Sequence, residues 1–177
     1  MKSSLRKSPF RRSLTLGLLT ISLTAVALLA GLRPERVAAQ IGEPPVLDLA
    51  TYPRSTLTIV TAKGAHEFDV WIADNADRQR QGLMYVRDLP ADQGMLFINE
   101  EPRVSSFWMK NTFIPLDMLF VDARGRIVEI FANTKPLSLE PVGASTPVLA
   151  ILELRGGESA RRGIRKGDRL RHAAFKP

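Results

Sequence analysis

Cysteine is absent from the 177-residue sequence, and histidine occurs only twice, as His66 and His172. Without cysteine the chain has no disulfide, no thiol chemistry and no zinc–thiolate or iron–sulfur site. A Ser-His-Asp hydrolase is not supported either, because no serine lies in a nucleophile-elbow sequence. We interpret both histidines as ordinary surface or edge-strand residues.

Metal-binding and phosphate-binding patterns are missing as well. The sequence has no His-x-x-x-His pair, no acidic loop of the calcium type and no G-x-x-x-x-G-K-[ST] loop. Four methionines could offer thioethers to Cu(I), but each has apolar neighbours, and methionine in that setting usually fills a core. They are Met84, Met95, Met109 and Met118. The sequence therefore predicts no cofactor.

Residues 1–39 have the pattern of an export signal. A basic segment is followed by nineteen apolar or small residues, 14–32, and then by the small residues Val37, Ala38 and Ala39. We predict a signal peptide that is cut before Gln40. An uncleaved N-terminal anchor is the alternative, because nineteen residues approach the minimum length that spans a bilayer. The protein is thus expected to be exported, periplasmic or extracellular, and to meet a membrane only through residues 14–32 if they are retained.

Net charge gives no support for nucleic-acid binding once this segment is set aside. The whole chain has 25 basic and 18 acidic residues, and residues 1–39 hold 7 of the basic and 1 of the acidic ones. The remainder has 18 basic and 17 acidic residues, whereas a nucleic-acid-binding domain keeps a clear basic excess. One basic cluster remains, between Arg161 and Arg171. It could contact anionic lipid or cell-wall polymer, but we interpret it as a solvated face.

Short alternating segments predict a mainly β fold, either a single compact β-sandwich or a partly closed barrel with one or two short helices. Residues 40–54 contain three prolines and are predicted to be a linker or an extended lead-in arm, so that the single domain covers residues 55–177. Strands are predicted as hairpins within 57–73 and 117–131 and as buried strands at 95–98, 104–110 and 148–154, with short helices after an N-cap at Asp74 and over 158–162.

Four sequence segments in this region resemble the domain-of-unknown-function family 192, an uncharacterised prokaryotic family. They are R-Q-G-L-M at 80–84, G-M-L-F at 94–97, F-W-M-K-N-T at 107–112 and I-P-L-D at 114–117. The resemblance covers about residues 56–173 and implies a compact, mainly β domain of sandwich type. Exported or lipid-attached members are common in that family. It implies no reaction, because the family has no established activity.

The most informative segment is Phe107–Asp122, in which ten of sixteen residues are large and apolar. Lys110, Asn111, Thr112 and Asp117 interrupt this apolar segment. Because buried polar groups cost several kcal/mol unless they are partnered, the segment must hold either a polar network or a site.

We predict a ligand-binding pocket floored by Trp108, in which Lys110 and Asn111 donate hydrogen bonds to a small anionic or carbonyl-bearing ligand. Arg80 or Arg78, from the predicted helix, would add a guanidinium group suited to a carboxylate or a phosphate. The full predicted site is Arg80, Trp108, Lys110, Asn111, Thr112 and Asp117. The leading functional hypothesis is a non-enzymatic, exported binding or accessory domain.

Two alternatives stay open. In the first, the polar residues are structural: Asn111 and Thr112 hold a turn, and Asp117 pairs with Lys110 or Arg80. In the second, the protein is an envelope enzyme, such as a hydrolase that acts on polysaccharide through a pair of carboxylates. The available acids are Asp117, Asp122, Glu129 and Glu153, and nothing in their spacing favours such a pair.

Overall fold

The computed structural model describes residues 45–175, and the bounds of their helices and strands are as follows. They are β1 (Arg54–Thr61), β2 (Gly64–Ala73), α1 (Ala76–Gln81), β3 (Gln93–Arg103), β4 (Ser106–Phe107), β5 (Leu116–Val121), β6 (Ile127–Phe131), β7 (Val142–Gly143), β8 (Val148–Arg155), α2 (Glu158–Arg162) and β9 (Arg169–Arg171). The predicted signal peptide lies outside the described residues and stays a prediction. Within residues 45–175, no helix has the length and apolar character needed to cross a membrane.

Seven strands form one curled sheet in the order β6-β5-β8-β3-β2-β1-β9. At one end its edges approach each other, because Arg126 bridges to Arg169 of β9 and the Ile127 N–H of β6 donates to the Asp168 carbonyl at 2.9 Å. The sheet is therefore a half-barrel, and β4 pairs with β7 in a separate small sheet. The predicted mainly β fold is confirmed in its partly closed form.

One parallel pair, β2 with β3, interrupts the antiparallel pattern of this sheet. Parallel neighbours cannot be joined by a tight turn, so residues 74–92 cross over the outer face of the sheet and bury Leu83 there. Helix α1 begins this crossover at the N-cap Asn75, whose side chain accepts a hydrogen bond from the Arg78 N–H at 3.0 Å. Asp74, the predicted N-cap, instead forms an ion pair with Arg78 at 2.7 Å.

Apolar residues cover both faces of the sheet in alternation along the central strands β3, β5 and β8. In β8, Leu152 and Leu154 pack in the cluster on the inner face of the half-barrel, whereas Ile151 packs in the cluster on the outer face. Glu153 shares the outer face with Ile151, and it aligns with Met95 of β3 and Met118 of β5. A carboxyl group is thereby placed in the middle of a central strand.

Residues 47–52, within the predicted linker or lead-in arm, contact the crossover. The Gln81 side-chain amide exchanges two hydrogen bonds with the Leu47 backbone. Tyr52 is buried in the outer-face cluster. The chain therefore enters the domain beside α1.

The predicted hairpins are confirmed as β1–β2 and β5–β6, and the predicted buried strand at 148–154 is confirmed as β8. The predicted strand at 104–110 is wrong, since only Ser106–Phe107 is extended and paired. Residues 109–112 form a turn, closed by a hydrogen bond from the Thr112 N–H to the Met109 carbonyl at 3.1 Å. Asn111 adopts a φ of 54° there, a left-handed conformation that asparagine tolerates better than most residues.

Candidate functional site

A cleft of about 560 Å³ opens on the outer face of the sheet, between the end of α1 and the segment around β4. Its volume lies within the roughly 300–1,000 Å³ of typical small-ligand sites. The residues that give it chemical character are Arg80, Phe97, Arg103, Phe107, Trp108 and Glu153. Arg80 and Arg103 are exposed at its mouth, whereas Glu153 lies at its floor.

Glu153 is a buried carboxyl group with only 4% of its surface exposed. Its neighbours across the sheet are Met95 and Met118, and none of the described residues donates a hydrogen bond to its side chain. Burial raises the pKa of Glu153 to about 8. At neutral pH the group is therefore mainly a neutral carboxylic acid, with an O–H donor and a carbonyl acceptor that face the cleft.

Aromatic rings form one wall of the cleft. Phe107 makes edge-to-face contacts with Phe97 and Phe120, at centroid distances of 5.0 and 6.2 Å. Trp108 lies at the rim with 53% of its surface exposed. Gly82, which ends α1 with a φ of 52°, lies so close to Phe97 that a Cβ there would be 2.9 Å from the ring. This glycine lets the helix end form the opposite side of the cleft.

The mouth of the cleft is positively charged. Arg80 forms an exposed ion pair with Asp77 at 2.7 Å, a pair that contributes little energy in water. Arg103 donates from Nε to the Asn99 side chain at 3.0 Å. Both guanidinium groups therefore have donors left for an anion.

Three of the predicted site residues, Arg80, Trp108 and Thr112, line this cleft, whereas Lys110, Asn111 and Asp117 are not among its lining residues. Thr112 is buried, and its hydroxyl donates to the Lys110 carbonyl at 3.2 Å within the turn. Because the chain turns after Trp108, Trp108 and Lys110 do not lie on one face of a strand.

Asn111 is held by Tyr85 in two hydrogen bonds. Its side-chain amide donates to the Tyr85 hydroxyl at 2.9 Å, and its carbonyl accepts from the Tyr85 backbone N–H at 2.8 Å. These bonds join the turn at 109–112 to the crossover after α1. The observed contacts of Asn111 are thus those of a structural residue, as in the first alternative reading of the sequence.

Asp117 is fully buried and accepts three backbone hydrogen bonds. The N–H groups of Asn133 and Gly157 donate to its Oδ1 at 2.8 and 2.9 Å, and the Ser159 N–H donates to its Oδ2 at 2.8 Å. The predicted pairing with Lys110 or Arg80 is therefore wrong. Backbone amides satisfy this carboxylate, and it ties β5 to the loop after β6 and to the start of α2.

His172 makes the one contact in the described chain that could suggest a serine hydrolase, a 3.0 Å hydrogen bond between its Nε2 and the Ser55 hydroxyl. However, its Nδ1 accepts a hydrogen bond from the Ala174 N–H at 3.1 Å. In the neutral ring Nε2 must then carry the proton and donate to Ser55, so it cannot act as a base toward that hydroxyl. Burial lowers the pKa of His172, which favours this neutral form.

The basic cluster between Arg161 and Arg171 is partly neutralised by Glu158. Burial alone would raise the pKa of Glu158, but hydrogen bonds from Arg161, Arg155 and Arg162 outweigh this effect and lower it to about 2. These bonds measure 2.8, 2.8 and 3.2 Å. Two of the six basic residues of the cluster, Arg161 and Arg162, therefore serve to hold α2 through Glu158.

Glu153 is the site residue whose importance sequence reasoning missed. The signal was present, since V-L-A-I-L-E-L places one acid in a continuous apolar run. The same argument that singled out Phe107–Asp122 applies to it. In the part of the chain that the structure describes, no three His, Asp or Glu side chains are placed to hold a metal ion.

Comparison with known proteins places the chain in a family. The family described as "DUF192: Uncharacterized ACR" matches residues 58–172, more than half of the sequence. The chain belongs to the DUF192 family. This confirms the resemblance to domain-of-unknown-function family 192 and leaves the activity open, because the family is uncharacterised.

Two solved structures are similar to this DUF192 protein. A protein from Sinorhizobium meliloti 1021, described as a "putative transcription regulator", is 40% identical with a TM-score of 0.68; the match covers 70% of this chain and 97% of that one. A protein of unknown function from Novosphingobium aromaticivorans DSM 12444 is 36% identical with a TM-score of 0.69; the match covers 76% of this chain and 96% of that one. No curated protein matches the chain.

Replacing Asp117 by asparagine should destabilise the fold. An amide keeps one acceptor but presents N–H₂ to a backbone donor, so at least one buried N–H loses its partner, at roughly 1–3 kcal/mol. Urea unfolding of the purified protein measures this loss. The control is Asp92→Asn, at an exposed aspartate, which should change stability by less than about 0.5 kcal/mol. Equal stability of the two variants would contradict a structural role for Asp117.

Replacing Glu153 by glutamine should flatten the pH dependence of stability. In the wild type, the folded-state pKa of about 8 lies above the ordinary value of 4.5. The stability linked to this proton is fully present below about pH 4.5 and is lost as the pH rises through 8. Glutamine has no proton to lose. The free energy of unfolding of the variant, relative to that of the wild type, should therefore rise by up to several kcal/mol between pH 5 and pH 9.

Urea midpoints at pH 5, 7 and 9 test this expectation. Glu67→Gln, at an exposed glutamate of β2, is the matched control and should follow the wild-type curve. If the stabilities of wild type and Glu153→Gln change with pH in parallel, folding does not raise the pKa of Glu153, and the group is therefore solvated.

Proposed function

We propose that this protein is an exported, non-enzymatic binding domain that holds a small ligand in the Glu153 cleft. The observation that supports this most directly is the Glu153 carboxyl group, which is almost completely buried and lacks a described hydrogen-bond partner. Burying such a group without a partner is unfavourable. Neither carboxyl oxygen is closed off completely, and a ligand in the cleft would take the place of the water that otherwise bonds to them.

The composition of the cleft supports the same proposal. Its surface is mainly apolar and aromatic, with a few polar groups that converge on the space, a combination typical of small-ligand sites. Arg80 and Arg103 favour an anionic ligand at the mouth, and the Glu153 O–H favours a carbonyl oxygen at the floor. We do not propose nucleic-acid binding, because the chain after residue 39 is nearly balanced in charge.

The proposed export rests on the sequence of residues 1–39 alone. The basic segment, the apolar run at 14–32 and the small residues before Gln40 support a cleaved signal peptide. The protein would then act in the periplasm or outside the cell. If the run at 14–32 is retained, it would anchor the protein to the membrane.

An enzyme is the second candidate, and the raised pKa of Glu153 favours it. A carboxylic acid that titrates near neutral pH in a cleft is suited to general acid catalysis. A glycosidase would require a second carboxylate across the cleft. Among the described residues that line the cleft, Glu153 is the one acid. We therefore favour binding. Turnover of an envelope substrate that disappears in Glu153→Gln would reverse this preference.

Trp108→Ala should weaken ligand binding without unfolding the protein. The indole is 53% exposed at the rim of the cleft, so its loss removes a stacking surface and little core. A fragment library screened by ¹H–¹⁵N NMR identifies ligands that shift the amides around Gly82 and Phe107. Their Kd should rise roughly 5- to 30-fold in the variant, an effect of about 1–2 kcal/mol.

Phe113→Ala is the matched control for this screen. Phe113 is 37% exposed, and it packs against Tyr85 and Arg87 rather than lining the cleft. Its loss should leave the Kd unchanged. If no fragment shifts the cleft amides of the wild type, the proposed binding function is wrong.

N-terminal sequencing of the protein recovered from the cell envelope tests the proposed export. Cleavage predicts a chain that begins at Gln40, in the soluble envelope fraction. A retained anchor predicts an intact residue 14–32 segment in the membrane fraction. Recovery of an uncleaved chain in the cytosol would contradict both.

A further inference from the structure

The cleft has different polar chemistry at its two ends. At the mouth, the guanidinium groups of Arg80 and Arg103 are accessible to solvent. At the floor, the Glu153 carboxyl group is 4% exposed. Phe97 and Phe107 lie along the wall between these ends. A ligand that contacts Glu153, the two phenylalanines and both arginines must therefore be polar at two places and apolar or aromatic between them.

The floor favours a neutral hydrogen-bond acceptor. In its protonated form Glu153 offers an O–H donor, and Met95 and Met118 beside it are uncharged. A carbonyl oxygen accepts this bond without bringing a further charge into a buried space. A second carboxylate at the floor would have to lose its hydration there, which is far less favourable.

A cationic ligand is disfavoured by basic residues at the cleft mouth and on β8. These groups are Arg80 from α1, Arg103 from the end of β3, and Arg155, two residues along β8 and held by Glu158 at 2.8 Å. All three are positive. A cation would have to pass two of them at the mouth before it could pair with an ionised Glu153.

We infer that the ligand carries a carboxylate and a separate carbonyl oxygen on one apolar or aromatic body, as an N-acylated aromatic amino acid does. It enters with the carbonyl end toward Glu153 and leaves the carboxylate at Arg80 and Arg103. This inference depends on the proposed binding function and adds to it the chemical class and the orientation of the ligand. It also requires Glu153 to be neutral in the complex.

Four small probes that carry different combinations of these groups test this class in ¹H–¹⁵N NMR titrations at pH 6. N-acetylphenylalanine has both groups; 3-phenylpropanoate lacks the acyl carbonyl; N-acetylphenylalanine amide lacks the anion; 2-phenylethylamine is a cation. N-acetylphenylalanine should bind about tenfold more tightly than either of the next two, because each has lost one charge-assisted or buried hydrogen bond. The amine should bind most weakly.

The affinity for N-acetylphenylalanine should fall as the pH rises. Above the Glu153 pKa of about 8, the ionised group no longer donates and repels the ligand oxygens. The Kd should therefore increase by up to about tenfold for each pH unit above that value. Glu153→Gln retains an N–H donor without a proton to lose, so it should still bind N-acetylphenylalanine, with a Kd that is constant between pH 6 and pH 9.

Two further variants test the contributions of the floor and the mouth of the cleft to binding separately. Glu153→Leu should bind N-acetylphenylalanine and 3-phenylpropanoate equally, because the donor at the floor is gone. The double variant Arg80→Gln with Arg103→Gln should bind N-acetylphenylalanine and its amide equally. Arg87→Gln is the matched control, since Arg87 stacks on Phe113 and does not line the cleft. This variant should bind the four probes with the same ranking of affinities as the wild type.

The outcomes distinguish the inference from the function on which it depends. If 2-phenylethylamine binds most tightly, and more tightly as the pH rises, the cleft takes a cation and the inferred class is wrong while binding stands. If members of a diverse fragment library bind in the cleft but N-acetylphenylalanine does not, the inferred class is again overturned. If neither the probes nor the library shift the cleft amides, the binding function itself fails.

Discussion

The buried Asp117 carboxylate holds together the segments on which the rest of this fold depends. It accepts backbone hydrogen bonds from Asn133, Gly157 and Ser159, which belong to the loop after β6 and to the start of α2. These segments are separated along the chain, and the buried Ser159 N–H would otherwise lack a partner. One acid thus fixes how β5 meets the chain that follows β6 and β8. β5 is in turn paired with β8, the strand that carries Glu153.

Asp117 and Glu153 lie on neighbouring strands, yet their surroundings differ in every respect that matters for function. Asp117 aligns with Leu154, and Glu153 aligns with Met118, so one residue separates them in register. All the described bonds of Asp117 come from the backbone, and it is closed to solvent. Glu153 has no described donor and reaches a cleft. A satisfied buried acid stabilises a fold, whereas an unsatisfied one at a cleft is suited to bind or react.

Local patterns in the sequence were enough to predict the hairpins, the central strand and the helical turn that Gly163 ends. The turn at 109–112 was not predictable from alternation, because a short side-chain pattern does not show that Asn111 adopts a left-handed conformation and bonds to Tyr85. Assembly of the site depended on contacts between distant segments. Arg80 and Trp108 both line the cleft, but Glu153, which lines it too, comes from a strand some 45 residues beyond Trp108 along the chain.

The position of the cleft follows from the one irregular step in the topology. Since β2 and β3 are parallel, the crossover must cover the outer face, but α1 has only six residues and ends at Gly82. The small sheet of β4 and β7 covers another part of that face. Glu153 lies below the opening that remains between the crossover and this small sheet. A leucine at that position would complete the apolar face of β8, so the presence of an acid there is unfavourable for the fold alone. That disadvantage is the physical reason to look for function in the cleft rather than in the polar turn at 109–112.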